Sequence, residues 1–263
     1  MTTRNRVQAI VMLFERCQYK HDLYAVFSDW CECAAIALSN TIDLRNRDKR
    51  EARYLEIVKR YDRYIIDIFP EILGQLQLAF EAGSADVLGQ VFHSLELHNK
   101  ARGQFFTPYS LCQLMARMTI DPEVVKRTID ERGYMTAHEP AVGAGAMIIA
   151  LAEAMRDAGF NYQRQLHVMA VDIDRRAVHM AYIQFFLMHI PAVVIEGDTL
   201  RMEFRDEWFT GSHILDGWGR KLMAEVPENE TVPVIAGAGD LRGFETALPL
   251  LFTTDKRGQL SFF

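Results

Sequence analysis

A glycine-containing turn between a weak strand and a long apolar helix constrains the fold of this chain more than any other feature. The sequence predicts a strand at 135–138 and a helix at 146–158, joined by Glu-Pro-Ala-Val-Gly-Ala-Gly at 139–145. Small residues in such a turn let backbone N–H groups approach a ligand at the start of the helix. The pattern indicates an α/β domain with a ligand site at the carboxyl ends of parallel strands.

Two later strand ends carry carboxylates. A strand predicted at 166–171 is followed by Asp172, about thirty residues after the glycines, where its side chain can accept both hydroxyls of a ribose. A helix predicted at 178–189 leads to a strand at 192–195, which is followed by Asp198, an acceptor suited to an adenine amino group. Three successive strand ends would then line one edge of a parallel sheet. A dinucleotide-binding domain remains a structural alternative at this point.

The first hundred residues are predicted to form four or five helices, because apolar residues recur there at helical spacing. Breaks are expected at residues 39–40, at Pro70 and at residues 83–84, where Ser84 would cap a helix that begins at Ala85. Five aromatic residues follow the same spacing and are expected in the core: Phe27, Trp30, Tyr61, Tyr64 and Phe69.

Composition limits the electrostatic options. The formal net charge is -6 and the pI is near 5.8, so DNA contact would need a local basic patch. The densest basic run, at 45–53, is expected to be a solvated helix face, with phosphate contact as the alternative. Four unevenly spaced cysteines indicate reduced thiols, with neither a disulfide framework nor a metal site. No apolar stretch is long enough to span a membrane, and we expect a soluble, cytoplasmic protein.

A further motif precedes the turn, Gly-Gln-Phe-Phe-Thr-Pro at 103–108. Together with the Glu-Pro-Ala-Val-Gly-Ala-Gly-Ala segment it resembles the N6-adenine DNA methylase family, especially the modification subunits of type I restriction-modification systems. The resemblance implies S-adenosyl-L-methionine as the cofactor. It also implies an α/β protein with a helical N-terminal domain at 1–100 and a methyltransferase-like domain at 101–263, built on a Rossmann-like, seven-stranded class I methyltransferase sheet. A dinucleotide site has no role for Phe-Phe-Thr-Pro, so S-adenosylmethionine is favoured.

The resemblance also assigns parts of the cofactor site. Thr107 and Pro108 would line the methionine end, and Glu139 and Gly143 would lie near its amino group. Asp172 would hold the ribose and Asp198 the adenine. The full set of candidate cofactor-binding residues is Phe106, Thr107, Pro108, Glu139, Ala141, Gly143, Gly145, Asp172, Ile173, Asp198 and Thr199.

The catalytic motif of the family is absent from this sequence. The family ends its fourth strand in Asn or Asp, then Pro-Pro, then an aromatic residue, and these groups hold and stack on a flipped adenine. None of the eight prolines here is adjacent to another. A fourth strand is expected at 212–215, followed by Asp216 as a hydrogen-bond acceptor and Trp218 as a stacking platform. The alternative is a glycine turn followed by a tryptophan packed in the core.

The last part of the chain is expected to complete the sheet. The sequence predicts a fifth strand at 231–236 and a closing hairpin from strands at 247–253 and 259–263, and Gly237-Ala238-Gly239 is interpreted as a turn. The short stretch after Asp198 is expected to leave no room for a separate target-recognition domain.

Three functions follow as hypotheses. The first is an adenine-specific DNA methyltransferase, or a modification subunit that contacts DNA through a specificity partner. The second is a catalytically inactive, methyltransferase-like decoy or regulator that binds a restriction-modification subunit or another partner protein. The third is an RNA or small-molecule methyltransferase with Asp216 or His213 as its base. The N-terminal helices are candidates for a partner surface or a homo-oligomer interface.

Overall fold

The computed structural model describes residues 2–95, residue 97 and residues 107–223. Its first part contains five α-helices, as the apolar spacing predicted. Their bounds are α1 Thr3–Glu15, α2 Leu23–Ser39, α3 Arg47–Val58, α4 Arg63–Ala82 and α5 Val87–Ser94. None of the described helices is both long enough and apolar enough to cross a membrane.

Two of the predicted helix boundaries are confirmed and two details are wrong. Helix α2 ends at Ser39 and α4 is followed by Gly83, as expected. Pro70 lies inside α4, because the helix buries Phe69, Ile72 and other apolar side chains around it, and this packing outweighs the hydrogen bond lost at a proline. Helix α5 is capped by Asp86 and not by Ser84, since the Asp86 carboxylate accepts the Gly89 N–H at 2.9 Å.

The second part alternates helices with a single four-stranded sheet, in the order β1-β2-β3-β4. The first three strands are parallel, and the prediction of three successive parallel strand ends is confirmed. The elements are α6 Tyr109–Thr119, α7 Pro122–Arg132, β1 Met135–Glu139, α8 Ala146–Asp157, α9 Tyr162–Gln165, β2 Leu166–Asp172, α10 Arg175–Leu187, β3 Ala192–Asp198, β4 Glu203–Phe209, α11 Gly211–Leu215 and α12 Trp218–Met223.

The fourth strand differs from the prediction. Residues 212–215 belong to helix α11, whereas β4 comes earlier in the chain and pairs antiparallel with β3. The chain reverses just after β3, where the Asp198 carboxylate accepts the N–H groups of Leu200 and Arg201 at 3.0 and 3.1 Å. Charged residues within β4 hide its apolar alternation, so the strand gave no clear signal. The predicted fifth strand, the closing hairpin and the glycine turn at 237–239 lie outside the described residues, and the seven-stranded sheet stays a prediction.

The helical region and the sheet share one continuous hydrophobic core. Helix α2 packs on α10, and the rings of Phe27 and Trp30 pack among those of Phe14 and Phe92. Phe27, Trp30 and Phe69 are buried, which confirms the prediction for them, but Tyr64 is 46% exposed. The division of the chain at residue 100 remains a prediction, since core packing crosses it.

The basic run at 45–53 is more than a solvated helix face. Arg50 in α3 is buried and forms an ion pair with Asp43 at 2.7 Å and a hydrogen bond with Ser39. Its guanidinium also donates to the Glu207 carbonyl at 2.7 Å and stacks 4.0 Å from the centre of the Trp208 ring. Arg50 therefore attaches the helical region to β4.

Replacement of Arg50 by methionine should destabilise the protein by about 3–5 kcal/mol, because Asp43 would remain buried without its partner. Methionine keeps much of the apolar part of the arginine side chain, so the loss of stability measures the contribution of the charge and its hydrogen bonds. Urea denaturation measures the free energy of unfolding. The matched control is Arg63→Met, which removes an exposed ion pair with Asp67 and should have little effect. Equal, small changes in both variants would contradict the role of Arg50.

Candidate functional site

The turn after β1 depends on two glycines with left-handed backbone conformations. Gly143 has a φ of 56° and Gly145 a φ of 99°, a region that favours glycine. A side chain at Gly145 would also place its Cβ 2.7 Å from a ring carbon of Phe185 in α10. Gly145 caps the start of α8, so the turn presents backbone groups at a helix N-terminus.

Asp172, at the end of β2, holds this turn. Its Oδ2 atom accepts the Gly143 N–H at 2.8 Å, and its Oδ1 atom accepts the Asp174 N–H at 2.9 Å. A carboxylate has about four lone-pair positions, and its bonds to backbone N–H groups leave some of them free. The partly buried Asp172 side chain can therefore fix the glycine turn and still accept ligand hydroxyls.

Glu139 makes the same region acidic. Its Oε1 atom accepts the Ala141 N–H at 3.1 Å. Burial raises the pKa of Glu139, and the nearby charge of Asp172 raises it further. Burial also raises the pKa of Asp172. Two carboxyl groups that both resist ionisation form a site in which a cationic ligand would be stabilised.

The end of β3 closes another side of the turn. Thr199 donates its hydroxyl hydrogen to the Pro140 carbonyl at 3.0 Å, which joins the third strand end to the glycine turn. Asp198 accepts two backbone N–H groups through Oδ1, and its Oδ2 lies 3.6 Å from Arg201. Ile173, the residue after Asp172, is 61% exposed. Its side chain forms an apolar surface on which a ligand ring can pack.

Thr107 and Pro108 lie at the start of α6. Small residues let α6 and α8 pack closely, with Cys112 and Ala116 against three alanines of α8. Tyr109, at the start of α6, donates to Glu153 of α8 at 3.0 Å. Arg117, near the end of α6, lies 4.0 Å from Asp157 at the end of α8. The contacts advance along both helices together, so the two helices run in the same direction. The start of α6 therefore lies on the same side as the glycine turn. Phe106 lies outside the described residues.

The structure contradicts the catalytic roles predicted for Asp216 and Trp218. Strand β4 runs away from the carboxyl ends of β1 to β3, so both residues follow at the opposite edge of the sheet. The Trp218 ring is fully buried against Tyr134 and His167, with ring centres 5.0 and 5.2 Å away. His167 and Asp172 are about 17 Å apart along β2. Trp218 therefore packs in the core, the alternative given by the sequence, and cannot stack on a base beside the glycine turn.

One side chain at the glycine turn carried no sequence signal. Gln184 lies in α10 among apolar residues, and its amide donates to the Ala144 carbonyl inside the turn at 2.6 Å. Within the ranges that the structure describes, no group of three or more metal-ligating side chains converges.

Three features lie together at one edge of the parallel sheet: the glycine turn, the Asp172 carboxylate and the polar end of β3. This arrangement is typical of nucleotide-binding α/β domains. The sequence model of the N-6 DNA Methylase family matches residues 84–214. The match runs from just before the cap of α5 into α11, and it confirms the resemblance to this family found in the motifs. No curated protein shows significant sequence similarity to the chain.

Two buried histidines join α11 to β2 at the edge opposite the glycine turn. His167 Nε2 lies 2.9 Å from His213 Nδ1, and both rings are largely inaccessible to water. Burial lowers the pKa of His213 to about 4 and that of His167 to about 3, with the His213 charge also lowering the latter. The pair is therefore neutral at neutral pH, and one ring donates to the other.

The histidine pair should make the fold sensitive to acid. Both groups have folded pKa values below the ordinary 6.5, so their contribution is complete above pH 6.5 and is lost as the pH falls towards about 4. The free energy of unfolding should drop by about 1.4 kcal/mol per pH unit for each histidine. His213→Gln should reduce this slope, whereas the exposed His189→Asn should retain it. Parallel pH profiles for wild type and His213→Gln would contradict the assignment.

Proposed function

We propose that the protein binds S-adenosyl-L-methionine at the carboxyl edge of its sheet. The observation that carries the proposal is the Asp172 carboxylate, which holds the Gly143 amide and keeps lone pairs that can accept the hydroxyls of a ribose. Ile173 beside it offers an apolar surface to the adenine. Asp198 and Thr199 would border the adenine, while Thr107, Pro108, Glu139 and the glycine turn would surround the methionine part.

The charge of the site favours this cofactor over a dinucleotide. S-adenosylmethionine carries a sulfonium and an ammonium group, both attracted to Glu139 and Asp172. A dinucleotide would place its anionic pyrophosphate at the same turn, beside Glu139 and Asp172. Burial and the Asp172 charge already raise the pKa of Glu139, so a further anion there is disfavoured. The acidic turn therefore complements a cationic ligand.

The family match supports a DNA adenine methyltransferase-like protein, but the described site lacks a means to hold the target amine. Residues 199–223 contain no proline, and Asp216 and Trp218 lie at the wrong edge. We propose that the chain acts in the cytoplasm as a cofactor-binding partner or regulator of a restriction-modification subunit, and does not methylate DNA alone. The third hypothesis, an RNA or small-molecule methyltransferase, required Asp216 or His213 as its base. Asp216 lies at the wrong edge, and His213 is paired with His167 far from the glycine turn.

Calorimetric titration should show binding of S-adenosylmethionine at about micromolar concentration. Asp172→Ala should weaken it by tenfold or more, because charge-assisted hydrogen bonds to the ribose are lost. Asp216→Ala is the matched control, since it removes the same charge at the opposite edge and should bind like the wild type. No binding at millimolar ligand, or equal losses in both variants, would overturn the proposed site.

The same preparation separates a regulator from an enzyme. Incubated with labelled S-adenosylmethionine and unmodified duplex DNA, the isolated protein should transfer no methyl group while it still binds the cofactor. Methyl transfer to adenine by the protein alone would show that a catalytic pair exists elsewhere and would contradict the regulatory proposal.

A further inference from the structure

Gln184 connects the glycine turn to the N-terminal helical region. Its side chain is completely buried in α10. The Nε2 atom donates to the Ala144 carbonyl at 2.6 Å and to Asp86 Oδ1 at 2.9 Å, while Oε1 accepts the Leu88 N–H at 3.0 Å. Both N–H donors of the amide and its oxygen are therefore used. We refer to Asp86, Gln184 and Ala144 as the Gln184 relay.

One end of the relay lies inside the cofactor turn. Ala144 stands between Gly143, whose N–H is held by Asp172, and Gly145, which caps α8. The ring of Phe185, the next residue of α10, fills the space that a side chain at Gly145 would need. Helix α10 thus supports the turn from behind, and Asp172 holds it from the ligand side.

The other end of the relay lies at the cap of α5. Asp86 accepts the Gly89 N–H through the oxygen that Gln184 also contacts. Gly89 is required there, because a Cβ would lie 1.9 Å from the Asp86 carboxylate. The Leu88 N–H, a second otherwise unsatisfied amide of the first turn, is satisfied by Gln184. One side chain therefore completes both the start of α5 and the glycine turn.

We propose that Gln184 is a positioning residue for S-adenosylmethionine, and that through Asp86 the helical region forms part of the cofactor site. This inference rests on the proposed function. Gln184 is screened from the ligand by the turn and acts by fixing the Ala144 carbonyl, which keeps Gly143 and Gly145 in their left-handed conformations. Loss of that bond leaves the turn free to relax away from the geometry in which its N–H groups face the ligand.

Gln184→Met tests the bond to the turn. Methionine has a similar length and volume and makes no comparable hydrogen bond, so affinity for S-adenosylmethionine should fall by about tenfold or more. The matched control is Gln163→Met, which removes an amide donor to the Met188 carbonyl, remote from the turn, and should bind like the wild type. Wild-type affinity in Gln184→Met would overturn the inference.

A double variant, Gln184→Glu with Asp86→Asn, separates positioning from general stability. Asparagine at position 86 avoids the second buried carboxylate that Gln184→Glu alone would create, and the carboxylate at position 184 still accepts the Leu88 N–H. Because the Asp86 Oδ1 atom that accepts the Gly89 N–H also contacts residue 184, the new amide keeps either its bond to the helix cap or its bond to the new carboxylate. The buried charge is conserved, but an ionised carboxylate at position 184 cannot donate to Ala144. Thermal stability should recover relative to Gln184→Glu alone. Cofactor affinity should stay about tenfold below wild type at the alkaline end of a titration from about pH 7 to about pH 9, because only a protonated carboxyl at position 184 could donate to Ala144.

The outcomes are distinct. If affinity recovers together with stability, Gln184 is merely structural and the inference is wrong. If Gln184→Met fails to fold, the comparison of the double variant with Gln184→Glu alone still tests the inference. If the wild type itself binds no S-adenosylmethionine, the proposed function and the inference fail together, whereas normal wild-type binding with unaffected Gln184 variants overturns the inference alone.

Discussion

The hydrogen bond from the Gly143 amide to the Asp172 carboxylate is the contact on which the rest of the site depends. It joins the ends of β1 and β2 at 2.8 Å and sets the direction of the turn that starts α8. In the proposed site the same carboxylate also accepts ligand hydroxyls, because its bonds to the protein leave lone pairs unused. Scaffold and ligand acceptor are thus the same group.

The helical region contributes directly to the structure around the glycine turn. Arg50 binds a β4 carbonyl, and the Asp86–Gln184 pair reaches the glycine turn through the shared core. Buried hydrogen bonds of this kind are costly to break, so a change in the helices is transmitted directly to the glycine turn. A partner that binds the helices would have this connection to act on.

The sequence predicted those parts of the site that depend on local spacing. The glycine turn lies between a short strand and a long apolar helix, and Asp172 follows a largely apolar strand, so their position at one sheet edge could be inferred. Strand β4 was missed because its charged residues conceal its alternation. Asp216 was misplaced as a consequence, since the antiparallel strand carries the chain to the opposite edge. Gln184 could not be found, because its partners lie 40 and 98 residues away in the chain.

Hydrogen–deuterium exchange with and without S-adenosylmethionine tests the central claim, that the carboxyl edge binds the cofactor and the opposite edge is structural. Saturating cofactor should slow exchange in peptides that cover the glycine turn, the end of β2 and the end of β3. Peptides from 211–223 should exchange as before. Protection confined to 211–223, or no protection anywhere at saturating cofactor, would contradict the account.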